Sequence, residues 1–303
     1  MTPSLDIVIN TTNVRDLVVD CIASIYKQKS ENDNWRVIVA DMASTDGTVD
    51  AIKKKFPHVT LIASKKNLGF AKGNNLARKF VKAKYVLFLN PDTKVIGKVI
   101  QKTFAVLETK KEIGVVGCKV MLPDGRLDYS CHRGLPTIWN TLTYWSGLAK
   151  KFPKSKLFAG YTATYLDHNE SNEVDCISGT YLLIRKSLLD KIGWWDEEYY
   201  WNGEDIEMCY QIKKLGWKIW YEAGEEIVHY KGSSSGLWST GKVKVPKERS
   251  LMLAKFASRA MRIFIRKHWR ELGPVPLMIF VLLGIWILEK YRLVKLKLGL
   301  KYA

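Results

Sequence analysis

The feature that most constrains the fold is a series of short apolar runs without polar alternation: 5–10 (LDIVIN), 36–40 (RVIVA), 59–63 (VTLIA) and 85–89 (YVLFL). Strands of this kind are buried on both faces. Between them, 15–29, 46–55 and 72–82 place apolar residues three and four apart and read as helices. This alternation predicts an α/β fold with a mostly parallel sheet flanked by helices and right-handed crossovers. Further along, 115–121 and 174–185 are expected strands, 123–126 (PDGR) a turn, and 186–192 and 205–215 helices. Two short strands are expected at 218–221 and 226–230. The stretch 131–165, rich in Trp, Tyr and Leu, yields no clear element.

In parallel sheets ligands lie beyond the carboxyl ends of the strands, so the residues following each run matter most. They are Thr11-Thr12-Asn13, then Asp41 to Thr48, then Asn67 to Asn75, then Asn90-Pro91-Asp92. Four polar strand ends on one rim make a candidate site, although 44–47 is also helix-capping chemistry with Asp46 as the N-cap. Asp92, behind a proline, suits a hard cation, since Mg²⁺ commonly takes one or two carboxylates plus phosphate oxygens. Glu204 and Asp205 form an acidic pair in which one carboxyl raises the pKa of the other, a general-base arrangement. They also suit the first turn of a helix on structural grounds alone. His229 is a candidate metal ligand or phosphate contact, and equally a structural histidine.

Charge separates the chain into 1–240 and 241–303. The second part holds 15 Lys/Arg against 3 Asp/Glu, a net +12 out of +18 for the chain. Within 250–270, Lys255, Arg259, Arg262, Arg266 and Arg270 recur at helical spacing beside Leu253, Phe256, Ala257, Ala260, Phe264 and Ile265. A basic amphipathic helix of this kind is expected at an anionic membrane surface. The apolar run 274–288 falls short of the ~20 residues that span a bilayer, and is expected to lie in the membrane plane or dip into it. Nucleic acid is not an expected partner, because aliphatic residues accompany the charges where base-stacking groups belong. Five cysteines without a C-x-x-C pair suit a reducing compartment, and the N-terminus shows no secretory signal.

The motifs ADMASTDGT, KKNLGFAKGNN, LFLNPDT, LPDGR, DCISGTYLLIRKSLLDKIGWWDEEYYWNGEDIEMCYQIKKLGW and HYKGSS occur in that order over 5–236. In this the chain resembles the family 2 glycosyltransferases with the Rossmann-like GT-A fold, especially the branch containing bacterial rhamnosyltransferases. The resemblance implies that Asp41 meets the donor's base. It further implies that Thr11, Asn13, Ser44, Asn67, Gly69, Asn74 and Asn90 line the nucleotide-sugar pocket, with Ser178 and Gly179 near the sugar. Asp92 would be the last acid of a metal-binding D-x-D motif whose first position here is Asn90, a departure. His229 would approach the Mg²⁺ or Mn²⁺ ion and the diphosphate, and Asp205, with Glu204 beside it, would be the catalytic base.

The implied activity is inverting transfer of a sugar, rhamnose favoured, from dTDP-rhamnose or a UDP-sugar to a lipid-linked saccharide. Cell-surface polysaccharide assembly at the cytoplasmic face of the membrane is the implied setting. The alternatives are a UDP-hexose or UDP-N-acetylhexosamine transferase of the same fold, and a non-catalytic glycan-binding or scaffold protein.

Overall fold

The computed structural model describes residues 4–231 and 247–298. The four apolar runs become β1 (Leu5–Thr11), β2 (Trp35–Met42), β3 (Thr60–Ser64) and β4 (Tyr85–Leu89). They pair parallel in the order β3–β2–β1–β4. The connecting helices are α1 (Arg15–Gln28), α2 (Thr48–Lys55) and α3 (Phe70–Asn75). The expected helix over 72–82 is shorter, because α3 gives way to a 3₁₀ turn at Leu76–Lys79. Gly73, Asn74 and Asn75 are poor helix formers. Asn75 is also drawn away, its side chain donating to the Trp195 carbonyl (2.8 Å) and accepting from the Trp195 N–H (3.1 Å).

Beyond β4 the sheet is mixed, which corrects the mostly parallel expectation. β5 (Thr93–Val95), β6 (Ile113–Met121), β7 (Asn172–Val174), β8 (Tyr181–Arg185) and β9 (Lys218–His229) extend the path to β3–β2–β1–β4–β8–β6–β9–β5, with β7 beside β9. β8 runs antiparallel to β4 and β6, and β5 and β7 antiparallel to β9. After β4, Asn90-Pro91-Asp92 turns the chain directly into β5 with no crossover helix, so the strand–helix alternation of the first four strands ends there. The expected single strand at 174–185 survives only at its ends. Between them Cys176 leaves the sheet to exchange two 2.9 Å backbone hydrogen bonds with Arg133. Conversely, the two short strands expected after 217 merge into β9, whose register against β6 slips between Cys118 and Lys119.

The remaining helices are α4 (Val99–Thr109), α5 (Ile138–Trp145), α6 (Leu148–Lys151), α7 (Lys186–Ile192) and α8 (Glu204–Lys214). Of these, α4, α7 and α8 pack with α1 on a core centred on β1, β4 and β8, while Ile138 of α5 packs in a second cluster with Tyr210. Asp6, in the middle of that core, is balanced by the Arg36 guanidinium (2.8 and 2.9 Å) and two backbone N–H groups. All five cysteines are buried and unpaired.

The tail is a helical hairpin of α9 (Lys247–Leu272) and α10 (Val275–Lys297). The expected helix at 250–270 is present, but its apolar face is turned onto the body. Leu253, Ala257, Ala260, Phe264 and Ile265 are buried, the last two packing with Ile138 and Tyr210. Part of its basic stripe is likewise engaged, Arg262 with Glu289 (2.6 Å) and Arg266 with Glu198. The apolar surface left open belongs to α10 instead, where Ile279, Phe280, Leu283, Trp286, Ile287 and Tyr291 are each more than half exposed. Among the described residues no helix is long and apolar enough to cross a membrane.

Candidate active site

The carboxyl ends of β1, β2 and β4 open on a cleft of about 130 Å³. Of the residues singled out from sequence, Thr11, Asn67, Gly69, Asn90 and Asp92 line it. Tyr200 and Trp201 close one side, and Met252 and Leu253 of α9 another. Asn10 fixes the loop after β3, its amide donating to the carbonyls of Gly69 and Phe70 (3.1 Å each). Gly69 is required there: φ is +83°, and a Cβ would stand 2.4 Å from the Tyr200 carbonyl oxygen.

Two buried polar atoms at this rim, Thr11 Oγ1 and Asp41 Oδ2, have no hydrogen-bond partner. The other Asp41 oxygen accepts from the Ser44 N–H (3.0 Å). Buried polar groups are rarely left so in a folded protein unless a ligand satisfies them. Asn13, Ser44 and Asn74 are instead engaged within the protein. The Asn13 N–H donates to Ser44 Oγ (2.8 Å), the Thr45 N–H donates to the Asn13 side chain (2.7 Å), and the Asn74 amide donates to the Phe70 carbonyl (3.0 Å). Asp46 serves two helices, accepting from the first N–H of α1 (Arg15, 2.9 Å) and of α2 (Thr48, 3.1 Å), while Gly47 takes the cap position.

The reversal after β4 brings Asp92 to His229. β5 pairs Thr93 with His229, and the Tyr230 N–H donates to the Asp92 carbonyl (2.8 Å). Asp92 Oδ1 then lies 3.3 Å from His229 Nε2, and Asp128 Oδ2 lies 3.5 Å from Nδ1. Burial works against a charged ring, but the Asp92 and Asp128 carboxylates outweigh it and push the His229 pKa up to about 9. Burial opposes ionisation of Asp128 too, yet His229 and Lys231 (2.8 Å) hold its carboxyl well below the usual range. The sequence reading missed Asp128, two residues past the PDGR turn. Among the described residues no group of three or more His, Cys, Asp or Glu side chains is placed to hold a metal. One carboxylate and one imidazole would fit a dication that draws its remaining ligands from a diphosphate, provided the ion displaces the proton from the His229 ring.

Glu204 and Asp205 open α8, where the helix N-terminus favours negative charge. Their surroundings differ. Asp205 Oδ2 accepts from Arg133 Nη2 (2.8 Å) and the Gly179 N–H (3.2 Å), and Oδ1 from the Ile206 N–H (2.8 Å). Glu204 Oε2 is buried without a partner, and desolvation, with the neighbouring Asp205 charge, pushes its pKa up to about 8. Glu204 therefore keeps its proton at neutral pH, which leaves Asp205 as the candidate base. Ser178 does not line the cleft, and its hydroxyl pairs with Thr180 (2.9 Å). The 178–180 segment joins the two halves of the site. Thr180 accepts from the Asn90 N–H (3.0 Å) through its carbonyl, and the neighbouring Gly179 donates to Asp205. Arg133 was also missed, since it sits 72 residues from its partner.

Residues 6–193 match the family model described as "Glycosyl transferase family 2". The chain belongs to that family. This family 2 glycosyltransferase is 28% identical over 211 residues to an N-acetylglucosaminyl-diphospho-decaprenol L-rhamnosyltransferase of Mycobacterium tuberculosis, covering 66% of this chain and 68% of that one. It is 26% identical over 172 residues to the rhamnosyltransferase WbbL of Escherichia coli, covering 54% of this chain and 61% of that one. In fold it is similar to a mannosyltransferase of Pyrobaculum calidifontis solved with GDP-Man and Mn²⁺. That match has a TM-score of 0.58 and 16% identity, and covers 98% of this chain and 74% of the other. The likeness establishes the GT-A-type α/β architecture of the glycosyltransferase.

Proposed function

We propose that the glycosyltransferase moves a sugar, rhamnose in the favoured reading, from a nucleoside-diphosphate donor to a lipid-linked saccharide with inversion. The observation that carries this reading is the tie through 178–180, which sets the reversal bearing Asp92 and the base candidate Asp205 on one frame. The base of the donor lies against Asp41, its diphosphate against the Asn90–Asp92 turn and His229, and its sugar toward Gly179. Asp205 takes the proton from the acceptor hydroxyl as that oxygen attacks the anomeric carbon. Glu204, protonated, adds no second negative charge beside the attacking group. Asp92 and a deprotonated His229 would hold Mg²⁺ or Mn²⁺, which would neutralise charge on the departing diphosphate.

The acceptor class follows from the relative named for a diphospho-decaprenol substrate and from the open apolar face of α10. Contiguous exposed apolar surface marks a protein or membrane contact. Lys290 and Lys295 stand over the rings of Trp286 and Tyr291 on the same helix, so cations flank that face as an anionic bilayer requires. Peripheral attachment to the cytoplasmic leaflet is the setting we propose.

A donor panel tests the reading. With Mg²⁺ or Mn²⁺ present, dTDP-rhamnose, UDP-glucose, UDP-galactose and UDP-N-acetylglucosamine are offered in turn with a lipid-linked acceptor, and nucleoside diphosphate release is followed. Release from dTDP-rhamnose, abolished by Asp92→Ala, is expected. Release from a UDP-sugar alone would move the assignment to a hexosyl or N-acetylhexosaminyl donor.

A further inference from the structure

The turn that gives Tyr200 and Trp201 to the donor cleft gives Asn202 and Gly203 to a second cavity of about 320 Å³. That volume falls within the ~300–1,000 Å³ range of small-molecule sites. α9 walls both spaces. Its Met252 and Leu253 face the first, and Ala257, Ala260 and Phe264, one to three turns further on, face the second. The opposite wall comes from α5 and from Val281 and Leu288 of α10.

The lining is mostly apolar, and its charged side chains are two arginines, Arg133 and Arg292. Arg133 already holds Asp205 through Nη2, while its buried Nε–H has no hydrogen-bond partner. The cavity therefore begins one side chain away from the candidate base. From α10, Leu288 and Arg292, one helical turn apart, also line it, and the adjacent Ile287 and Tyr291 belong to the exposed apolar face. The mainly apolar lining suits a lipid segment, Thr141, Tyr144, Tyr161 and Asn202 leave it able to meet a polar head group as well, and a bilayer lipid would have no reason to end beside a candidate catalytic carboxylate.

We propose that this cavity receives the diphosphate and the first isoprenoid units of the lipid-linked acceptor. The guanidinium groups meet the diphosphate, for which a planar fork of donors is well matched. The α9 and α10 side chains cover the isoprenoid, whose remainder leaves along the outer face of α10. The acceptor sugar, on the far side of the diphosphate, is thereby presented to Asp205. This inference rests on the proposed transfer to a lipid-linked acceptor, and adds the subsite that would recognise it.

Binding to the full chain tests the assignment without turnover. Farnesyl diphosphate is titrated calorimetrically against wild type, Ala257→Phe, which fills the apolar wall, and Arg292→Gln, which removes a charge. Inorganic diphosphate and farnesol serve as the separated halves of the probe, and circular dichroism with nucleotide affinity checks that each variant is folded. Farnesyl diphosphate is expected to bind wild type more tightly than either half, and each variant to weaken it about tenfold, or about 1.4 kcal/mol. Equal binding to wild type and both folded variants overturns the assignment, as does binding to phosphatidylglycerol vesicles with none to farnesyl diphosphate. The outcome is independent of the donor panel. Variant-sensitive binding upholds the cavity where the panel fails, and variant-insensitive binding defeats it where the panel succeeds.

Discussion

Glu204 and Asp205 are neighbours in sequence with opposite electrostatic surroundings, and two expectations follow. Asp205→Asn preserves size but removes the proton acceptor, so kcat should fall by ~10²–10⁴-fold, the usual worth of a positioned base. Donor affinity should stay as it was, because Asp205 does not line the donor cleft. Steady-state kinetics beside nucleotide binding separate the two. Glu204 carries a pKa near 8 in the fold against an ordinary 4.5. Between those values the native protein holds a proton that the unfolded chain has lost, so stability falls as pH rises from about 4.5 to about 8 and then levels. Glu204→Gln removes this dependence, and denaturant unfolding of the two proteins across that window should show the variant's profile flatter. A parallel profile would mean that Glu204 titrates normally. Asp128 and Arg133 also take part in the candidate site through single contacts. Neither was legible in the sequence, because each acquires its meaning from a partner on a distant strand or helix, His229 for one and Asp205 for the other.

Elements buried on two faces are the ones a linear reading finds most surely, although β3, expected to be buried on both faces, is an edge strand with no buried residue. β1, β2 and β4 were visible because both faces of each strand meet the core, and a run of apolar residues is then the only workable pattern. The stretch 174–185 looks equally apolar, yet its middle leaves the sheet, because Gly179 is needed beside Asp205 and Cys176 beside Arg133. Apolar character there reports burial, not strand. In α9 the amphipathic pattern correctly announced a helix, while the surface it covers was misassigned, since a protein wall and a lipid surface demand the same apolar stripe. What docks α9 is partly polar and escapes such patterns. His268 Nε2 lies 2.9 and 3.0 Å from the two Glu207 oxygens, which also accept from Tyr199 (3.0 Å) and Gln211 (2.8 Å). Glu207→Ala leaves two buried groups, Tyr199 and His268, and the half-buried Gln211 without their acceptor and should cost about 1–3 kcal/mol. Hydrogen exchange should show the loss concentrated in α9, whereas a uniform loss across the sheet would place Glu207 in the general core.

In the molecule as a whole, the candidate site lies at the carboxyl ends of β1, β2 and β4, and the open apolar face of α10 is on the hairpin whose other helix walls it. Phe280→Glu combined with Trp286→Glu alters only side chains that are more than half exposed. This pair should abolish co-flotation with anionic phosphatidylglycerol vesicles and leave nucleotide binding unchanged. Flotation equal to wild type would mean that another surface meets the bilayer. The exposed face was hard to foresee because the apolar run at 274–288 gives no sign of which side the protein itself will cover. Only the packing of Val281 and Ile285 inward decides that. The position of α9 has one more consequence. A single helix forms a wall of both cavities, so an occupant that displaces it from one side alters the free energy of filling the other. Thermodynamic linkage makes that influence reciprocal, each ligand changing the other's affinity by the same factor. If the two cavities take donor and acceptor as proposed, departure of the spent nucleotide and arrival of the next acceptor become two readings of one helix position.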